Sequence, residues 1–432
     1  MTPAGRTGAV LELLEALAAA PRRPADAIAH EYLRARRFIG AADRRAITDL
    51  AWGVVREQAR LAWWVSRCGG RPEPRSLLIA YHALVLRQDP ALLFGAGRFA
   101  PAPLTPAEAA LAARLRGQPL RHPDQPPEVA LNIPAWALPG LTARFGADLP
   151  AEAAALEAEA PLDLRVNLLK TSREAARAAL AEEGIATEPT PYSPWGLRAP
   201  KRAPVMATRA FRSGLIEVQD EGSQIIAALV DARPGMRVLD LCAGAAGKTL
   251  ALAMTMGNRG RISACDVSAA RLAGAARRLA RAGVDNAETR LLAPGDRWAK
   301  RQARSFDRVL ADAPCTGTGT WRRNPDARYR MGETDLRELL AIQHDILVTA
   351  ADLTRPGGLL VYATCSLLPA EDEEQVERLL ARSSDFEPVP LPEAWAAAGL
   401  PGAPPCPGPW LVMTPARCGT DGFFAAVLRR RT

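Results

Sequence analysis

The chain has no uncharged apolar stretch approaching the roughly 18 to 20 residues a membrane-spanning helix needs, which argues against a helical membrane protein. No secretory leader is expected either. Leu11-Glu12-Leu13-Leu14-Glu15 puts glutamates where a signal sequence keeps an apolar core, so a cytoplasmic protein is expected. Histidine is scarce, with 4 in 432 residues, and the 7 cysteines include no C-x-x-C pair. That composition fits neither a zinc site nor a disulfide framework; reduced thiols and no metal are expected. No internal repeat is visible. Acidic residues are outnumbered, 47 against 55 Lys+Arg, for a net charge of +8. The excess is local: residues 22–75 carry 12 arginines against 6 acids, and residues 297–330 carry 9 Lys/Arg against 3 Asp. Both stretches are candidate phosphate-facing surfaces, weighed against an arginine- and alanine-rich chain that is mildly basic for no binding reason.

A chain of 432 residues is long for one core, so two or three domains are expected. In residues 8–67 apolar positions recur at three and four (Val10, Leu13, Leu14, Leu17; Ile47, Leu50, Ala51, Val54; Leu61, Trp64, Val65), the period of amphipathic helix. Further helical stretches at 77–86 and 106–115 complete an all-helical domain over 1–125. Prolines 123, 126, 127 and 134 then interrupt continuous helix and mark a linker with connecting helices over 126–160. Short mixed runs predict a small α+β subdomain over 161–220. From 221 to 432, strand patterns at 237–241, 261–266, 288–292, 307–312 and 359–364 alternate with helices, the texture of a parallel sheet covered on both faces. Pro356-Gly357-Gly358 reads as a turn launching the fifth strand, and residues 422–428 read as a closing strand. The proline-rich stretch 388–409 reads as a loop.

Ligands of such sheets bind outside the carboxyl ends of the strands. Two cysteines fall there, Cys315 in Asp312-Ala313-Pro314-Cys315 and Cys365 in Thr364-Cys365-Ser366, so both thiols face one crevice although they are 365 − 315 = 50 residues apart. The segment Asp240-Leu241-Cys242-Ala243-Gly244-Ala245-Ala246-Gly247-Lys248-Thr249 runs from a strand through small residues into a helix, which suits a nucleotide-like cofactor lying against backbone. Its tail matches a P-loop, but Cys242 stands where that motif needs glycine, which argues against an NTPase. Asp266 ends the second strand, where nucleotide folds place an acid for ribose hydroxyls, with Arg271 following. Asp296, in Ala293-Pro294-Gly295-Asp296, is expected at an adenine edge. Singly, each acid is more often a helix cap or a solvated loop residue.

With Thr316-Gly317-Thr318-Gly319-Thr320-Trp321-Arg322-Arg323-Asn324-Pro325 after Cys315, and with Val218-Gln219-Asp220-Glu221-Gly222-Ser223 and Asp421-Gly422-Phe423-Phe424, the chain resembles the Sun-type RNA cytosine-5 methyltransferases over most of its length. The segment Ile39-Gly40-Ala41-Ala42-Asp43-Arg44-Arg45 makes the helical domain similar to the antitermination-factor-like RNA-binding domain of bacterial members. The resemblance implies an α/β fold with a class I methyltransferase Rossmann-like sheet, S-adenosylmethionine as cofactor, and an RNA partner, with 16S ribosomal RNA expected. Transfer RNA or another ribosomal cytosine is the alternative, and a non-catalytic RNA-binding or ribosome-assembly protein is another. A monomer is expected.

Carbon 5 of cytosine is a poor nucleophile until a thiolate adds to carbon 6. From the residues alone either cysteine could make that bond, since DNA cytosine-5 methyltransferases use a Pro-Cys thiol. The resemblance assigns it to Cys365, gives Cys315 the task of helping to break the adduct, and has Asp312 hydrogen-bond or protonate the base. It further implies cofactor contacts from Cys242, Ala243, Gly244, Ala245, Ala246, Gly247, Lys248, Asp266, Arg271, Asp296 and Asp312. Trp321, Arg322 and Arg323 are expected to stack on or neutralise RNA flanking an unpaired or flipped cytosine. Methylation of an exocyclic amine fits less well, because Cys315 holds the place of an aromatic. One departure stands out: the family has Pro-Gly-Gly before the lysine, and this chain has Ala245-Ala246-Gly247. A positive φ at Ala246 would cost about 1 kcal/mol or more and bears on cofactor affinity.

Overall fold

The computed structural model describes residues 1–200, 203–293 and 296–432, so Pro294 and Gly295 of the Asp296 turn lie outside the described residues. Contacts divide the chain into two units, Met1–Glu157 with Arg323–Glu333, and Ala158–Arg322 with Thr334–Thr432.

The first unit is helical. The helices Pro3–Ala19, Ala41–Arg56, Gln58–Arg67 and Pro74–Leu84 bury the periodic residues Val10, Leu13, Ile47, Val54, Leu61 and Val65 in one core. The short returning segment is tied into the same unit. Arg328, 1% exposed, donates to the carbonyls of Asn132 (3.0 Å) and Leu156 (3.3 Å), and the Tyr329 hydroxyl donates to Asn132 Oδ1 at 2.8 Å. Among the described residues no helix is long and apolar enough to cross a membrane.

The second unit holds two sheets. A small antiparallel one is built from β1 (Leu162–Val166), β2 (Glu188–Pro189), β3 (Gly196–Ala199) and β4 (Ile216–Val218), in the order β2-β3-β1-β4. The large sheet contains β5 (Arg237–Asp240), β6 (Arg261–Asp266), β7 (Ala287–Leu291), β8 (Phe306–Asp312), β9 (Thr354–Thr364), β10 (Phe386–Pro388), β11 (Leu411–Met413) and β12 (Phe423–Arg430). Their order is β10-β12-β9-β8-β5-β6-β7, with β11 also paired to β12. Strands β5 to β9 pair in parallel, whereas β12 runs antiparallel to β9. The sheet is therefore mixed. Pro356-Gly357-Gly358, expected as a turn before the fifth strand, is part of β9, whose pairing with β8 is irregular between Phe306 and Arg308. The proline-rich stretch is not all loop, since it contains the helix Leu391–Ala397.

Consecutive strand residues face opposite sides, and both sides are buried. Val238, Leu310 and Val361 enter one core with Ile225, Leu252 and Trp395, while Leu239, Val309 and Leu360 enter the other with Leu347 and Phe424. Because β5 lies between β6 and β8, the strand order reverses there, and a crevice opens beyond the carboxyl ends of β5 and β8. That crevice is where Asp240 and Asp312 end their strands.

Candidate active site

The turn after β5 brings backbone and acids together. Gly244 (φ +54°) and Ala246 (φ +63°, ψ 27°) are both left-handed, and the helix Gly247–Thr255 follows at once. Asp266 at the end of β6 fastens the turn: its Oδ2 accepts from Gly244 N at 2.8 Å and its Oδ1 from Ser268 N at 2.7 Å. From the other side, Arg278 donates to the Ala245 carbonyl and Arg165 of β1 to the Gly247 carbonyl, each at 2.7 Å. Neither arginine is marked by a motif. Asp240 accepts from Thr249 Oγ1 at 2.7 Å through Oδ2. Burial pushes its carboxyl up to about 7, with the Thr249 hydrogen bond opposing and the charge of Asp312 adding.

Asp240, Asp266 and Arg278 border a cavity of about 800 Å³. Cys242, Ala243, Gly244, Ala245, Gly247, Lys248, Asp266, Arg271 and Asp312 all line it. Ala246 does not: its methyl is fully buried with Leu250, Ala275, Leu279 and Ala282 on the far side of the turn. Asp296 does not line it either, contrary to the expected adenine contact. Its carboxylate caps the turn at Trp298 N (2.8 Å) and pairs with Arg290 (3.0 Å). Three features suit a nucleoside carrying an amino acid. Asp240 Oδ1 is buried with no hydrogen-bond partner although its residue lines the cavity, and an ammonium would satisfy it. Space above Gly244 is open, so a ligand can approach backbone. Val267, 78% exposed, and Ile342, 46% exposed, are large apolar side chains on the cavity wall, placed for an adenine ring. The residues therefore fit S-adenosylmethionine: Asp240 would face its ammonium and Asp266 its ribose hydroxyls.

The thiols stand at adjacent strand ends. Parallel register pairs Asp312 with Ala363, and Ala313 N extends the ladder to the Ala363 carbonyl at 2.9 Å. Cys315 and Cys365 thereby meet with Sγ···Sγ 3.4 Å, close enough for one to donate to the other. Neither sulfur lines the cavity; Asp312 and Pro314 do, and Cys315 follows Pro314 directly. The loops that carry the thiols are interlocked. Gly319 N donates to the Cys365 carbonyl at 3.0 Å, and Leu367 N donates to Thr318 Oγ1 at 2.8 Å. A methyl at Gly319 would lie 2.2 Å from the Gly422 carbonyl oxygen, so only glycine permits the approach of the β12 segment. The Cys315 thiol is held well above the ordinary range, by its hydrogen bond to Cys365 first and by burial second. Lys248 Nζ bridges the two areas, donating to Asp312 Oδ2 at 2.6 Å. Burial works against its charge, but Asp312 overrides it and the ammonium titrates above its usual value.

The expected RNA contacts are corrected by burial. Trp321 is 1% exposed and Arg322 5% exposed. Arg322 Nε pairs with Asp421 at 2.5 Å, and Nη2 lies 3.6 Å from Asp220 and donates to the Gly419 carbonyl at 3.1 Å. Its charge is used inside the protein. Arg323, the first residue of the segment assigned to the helical unit, is half-buried. Of the basic residues in 297–330, Arg308 and Arg328 are buried as well, whereas Arg297, Lys300, Arg301 and Arg304 are exposed. Glu371, whose carboxylate touches both thiol loops, is not found by sequence reasoning. It lies 371 − 365 = 6 residues after Cys365 in Pro369-Ala370-Glu371-Asp372, where nothing in the spacing sets it apart from its acidic neighbours.

Comparison with known proteins agrees with this architecture. Residues 227–429 match the family model described as 16S rRNA methyltransferase RsmB/F, and residues 133–206 match the ferredoxin-like domain of RsmF/B-like methyltransferases. The chain is 32% identical to a probable ribosomal RNA small subunit methyltransferase B of Synechocystis sp., covering 90% of this chain and 91% of that one. It is 30% identical to ribosomal RNA small subunit methyltransferase B of Klebsiella pneumoniae (strain 342), covering 90% of each. Among solved structures, PH0851 superposes with a TM-score of 0.80 over 100% of this chain and 99% of its own, at 24% identity, a likeness of fold. A methyltransferase homolog from Pyrococcus horikoshii gives a TM-score of 0.60 at 29% identity, over 70% of this chain and 97% of its own.

Proposed function

The chain belongs to the RsmB/F family of ribosomal RNA cytosine methyltransferases, and from that membership we propose that it methylates carbon 5 of a cytosine in 16S ribosomal RNA through a covalent adduct on Cys365. The observation that carries this reading is the 3.4 Å approach of Cys315 and Cys365 beside a cavity fitted to the cofactor. S-adenosylmethionine supplies an electrophilic methyl group there. The protein's residues do the rest. Cys365 Sγ bonds to carbon 6, and the ring gains the electron density that carbon 5 lacks. Asp312, held by Lys248, hydrogen-bonds the polar edge of the base as charge arrives. After transfer, the proton on carbon 5 passes to solvent water, the freed electron pair forms the carbon 5–carbon 6 double bond, and the carbon 6–sulfur bond breaks with its electron pair returning to sulfur; Cys315 assists this release.

The helical domain assists RNA docking. Phe38 is 80% exposed on the turn between two helices, and Arg34 and Arg37 before it and Arg45 after it in the chain are exposed as well. An aromatic face among cations suits unpaired RNA.

Incubation of variants with cofactor and 16S ribosomal RNA, followed by denaturing gels, tests the assignment. Cys365→Ala abolishes methylation and forms no adduct, whereas Cys315→Ala accumulates a covalent protein–RNA species. An adduct that survives loss of Cys365 reverses the two roles. Bisulfite sequencing of total RNA from cells with and without the gene locates the cytosine, and a site in transfer RNA would replace the ribosomal target.

A further inference from the structure

Glu371 is fully buried, and its carboxylate accepts four hydrogen bonds. Oε1 receives Thr316 N at 2.8 Å and Gln343 Nε2 at 2.9 Å; Oε2 receives Ser366 Oγ at 2.5 Å and also Thr316 Oγ1. Thr316 follows Cys315, and Ser366 follows Cys365. One carboxylate therefore holds the residue after each thiol. Its own backbone is fixed too, since the Tyr362 hydroxyl of β9 donates to the Glu371 carbonyl at 2.7 Å. Among the described residues Glu371 has no ion-pair partner, so its negative charge is balanced by dipoles alone. Neutral side chains could join two loops with less desolvation cost. The charge itself calls for an explanation.

We propose that Glu371 is a positioning residue that joins the two cysteine loops and keeps their shared proton on Cys315, leaving Cys365 as the sulfur free to react. The inference deepens the proposed function and rests on its assignment of Cys365 as the nucleophile. The surroundings of the pair are asymmetric. Cys315 is held in its thiol form by the Cys365 hydrogen bond, by burial, by the Cys365 charge and then by the charge of Glu371. On the other side, a negative Cys365 and the Lys248 ammonium favour each other. The other titratable groups near the pair are Asp312 on Lys248, Tyr362 on the Glu371 carbonyl, Asp372 on Thr364 Oγ1 at 2.6 Å, and Cys242. With Cys315 as donor, the 3.4 Å contact becomes an S–H···S hydrogen bond that stabilises the Cys365 thiolate.

Iodoacetamide alkylation of the full-length protein without RNA, followed by peptide mass mapping from about pH 6 to pH 9, reads each thiolate separately. In the native protein Cys365 reacts about tenfold faster than Cys315 or more at neutral pH. In Glu371→Gln, with cofactor-product binding intact as a folding check, that preference falls to about threefold or less, the Cys315 profile moves to lower pH, and kcat on 16S ribosomal RNA drops about tenfold with KM within twofold. Unchanged preference in Glu371→Gln overturns the proposal and leaves the nucleophile assignment standing. Preferred alkylation of Cys315 in the native protein overturns the nucleophile assignment itself. Should Glu371→Gln not fold, the double variant Thr316→Val, Ser366→Ala keeps the charge and removes both hydroxyl donors. A retained preference for Cys365 with a kcat drop of about tenfold supports the proposal; a lost preference or an unchanged kcat overturns it.

Discussion

The turn after β5 and the loops after β8 and β9 occupy neighbouring strand ends, yet they treat added atoms and polar groups differently. At the cofactor turn, space above Gly244 is open, Asp240 Oδ1 has no partner, and Ala246 accommodates a methyl in a left-handed conformation. At the thiol loops Gly319 could not take a methyl, and the Glu371 carboxylate is filled by four donors. A binding surface keeps groups in reserve for its ligand, whereas the carboxylate between loops that hold two sulfurs 3.4 Å apart is satisfied internally. Lys248 and Asp312 couple the two regions.

The strongest challenge to that contrast is Arg322→Ala. The side chains of Arg322, Asp421 and Asp220 are at most 6% exposed, and the arginine ties the chain after Cys315 to the segment before β12. Removing it takes the buried cation away from Asp421 and Asp220, although Asp220 still accepts from Gly222 N at 2.8 Å and Asp421 N at 3.1 Å, a loss of about 3–5 kcal/mol. For a unit of this size the melting temperature should fall by about 10 °C. Calorimetric melting measures this, alongside RNA affinity at low salt. A stable protein with weakened RNA binding would return Arg322 to the surface role suggested by its sequence.

Asp240 sharpens the contrast from the cofactor side. Its carboxyl, raised to about 7 by burial, must ionise to receive an ammonium. Cofactor affinity should therefore weaken by up to about tenfold per pH unit as pH falls below about 7. Stability of the ligand-free protein moves the other way. A carboxyl raised in the folded state contributes stability below its unfolded value near 4, and that contribution is lost as pH rises through about 7. Titration calorimetry with S-adenosylhomocysteine across this range checks the first slope, and Asp240→Asn should flatten it.

Strand positions were legible where two-sided burial leaves near-continuous apolar runs: β6 occupies the expected residues, and β5 and β8 end within a residue of expectation, as does the edge strand β7, whose Ala287-Glu288-Thr289-Arg290-Leu291 has no such run and no buried residue. The meeting of Cys315 and Cys365 was legible for a related reason, since each terminates such a run. What stayed hidden depends on partners distant in sequence. Arg322 looks like any basic loop residue until Asp220 and Asp421 are brought to it, and Asp296 looks like a ligand until Arg290 and Trp298 N claim its oxygens. Glu371, Arg165 and Arg278 act through hydrogen bonds to backbone and hydroxyls, which leave no pattern along the chain.

Ala246→Gly gives the smallest effect and the finest discrimination. Glycine relieves a left-handed alanine, worth about 1–2 kcal/mol. It also deletes a methyl buried with Leu250 and Leu279, at about 0.8 kcal/mol, and frees the unfolded chain by about 0.4–1 kcal/mol. These contributions nearly cancel, so stability in denaturant titration should change by less than about 1 kcal/mol. Because Ala246 does not line the cavity while its neighbours do, cofactor affinity should hold within about threefold, a shift below about 1 kcal/mol. A tenfold gain would mean that strain in the turn reaches Ala245 and Gly247, and that the cofactor side is tuned as tightly as the thiol loops.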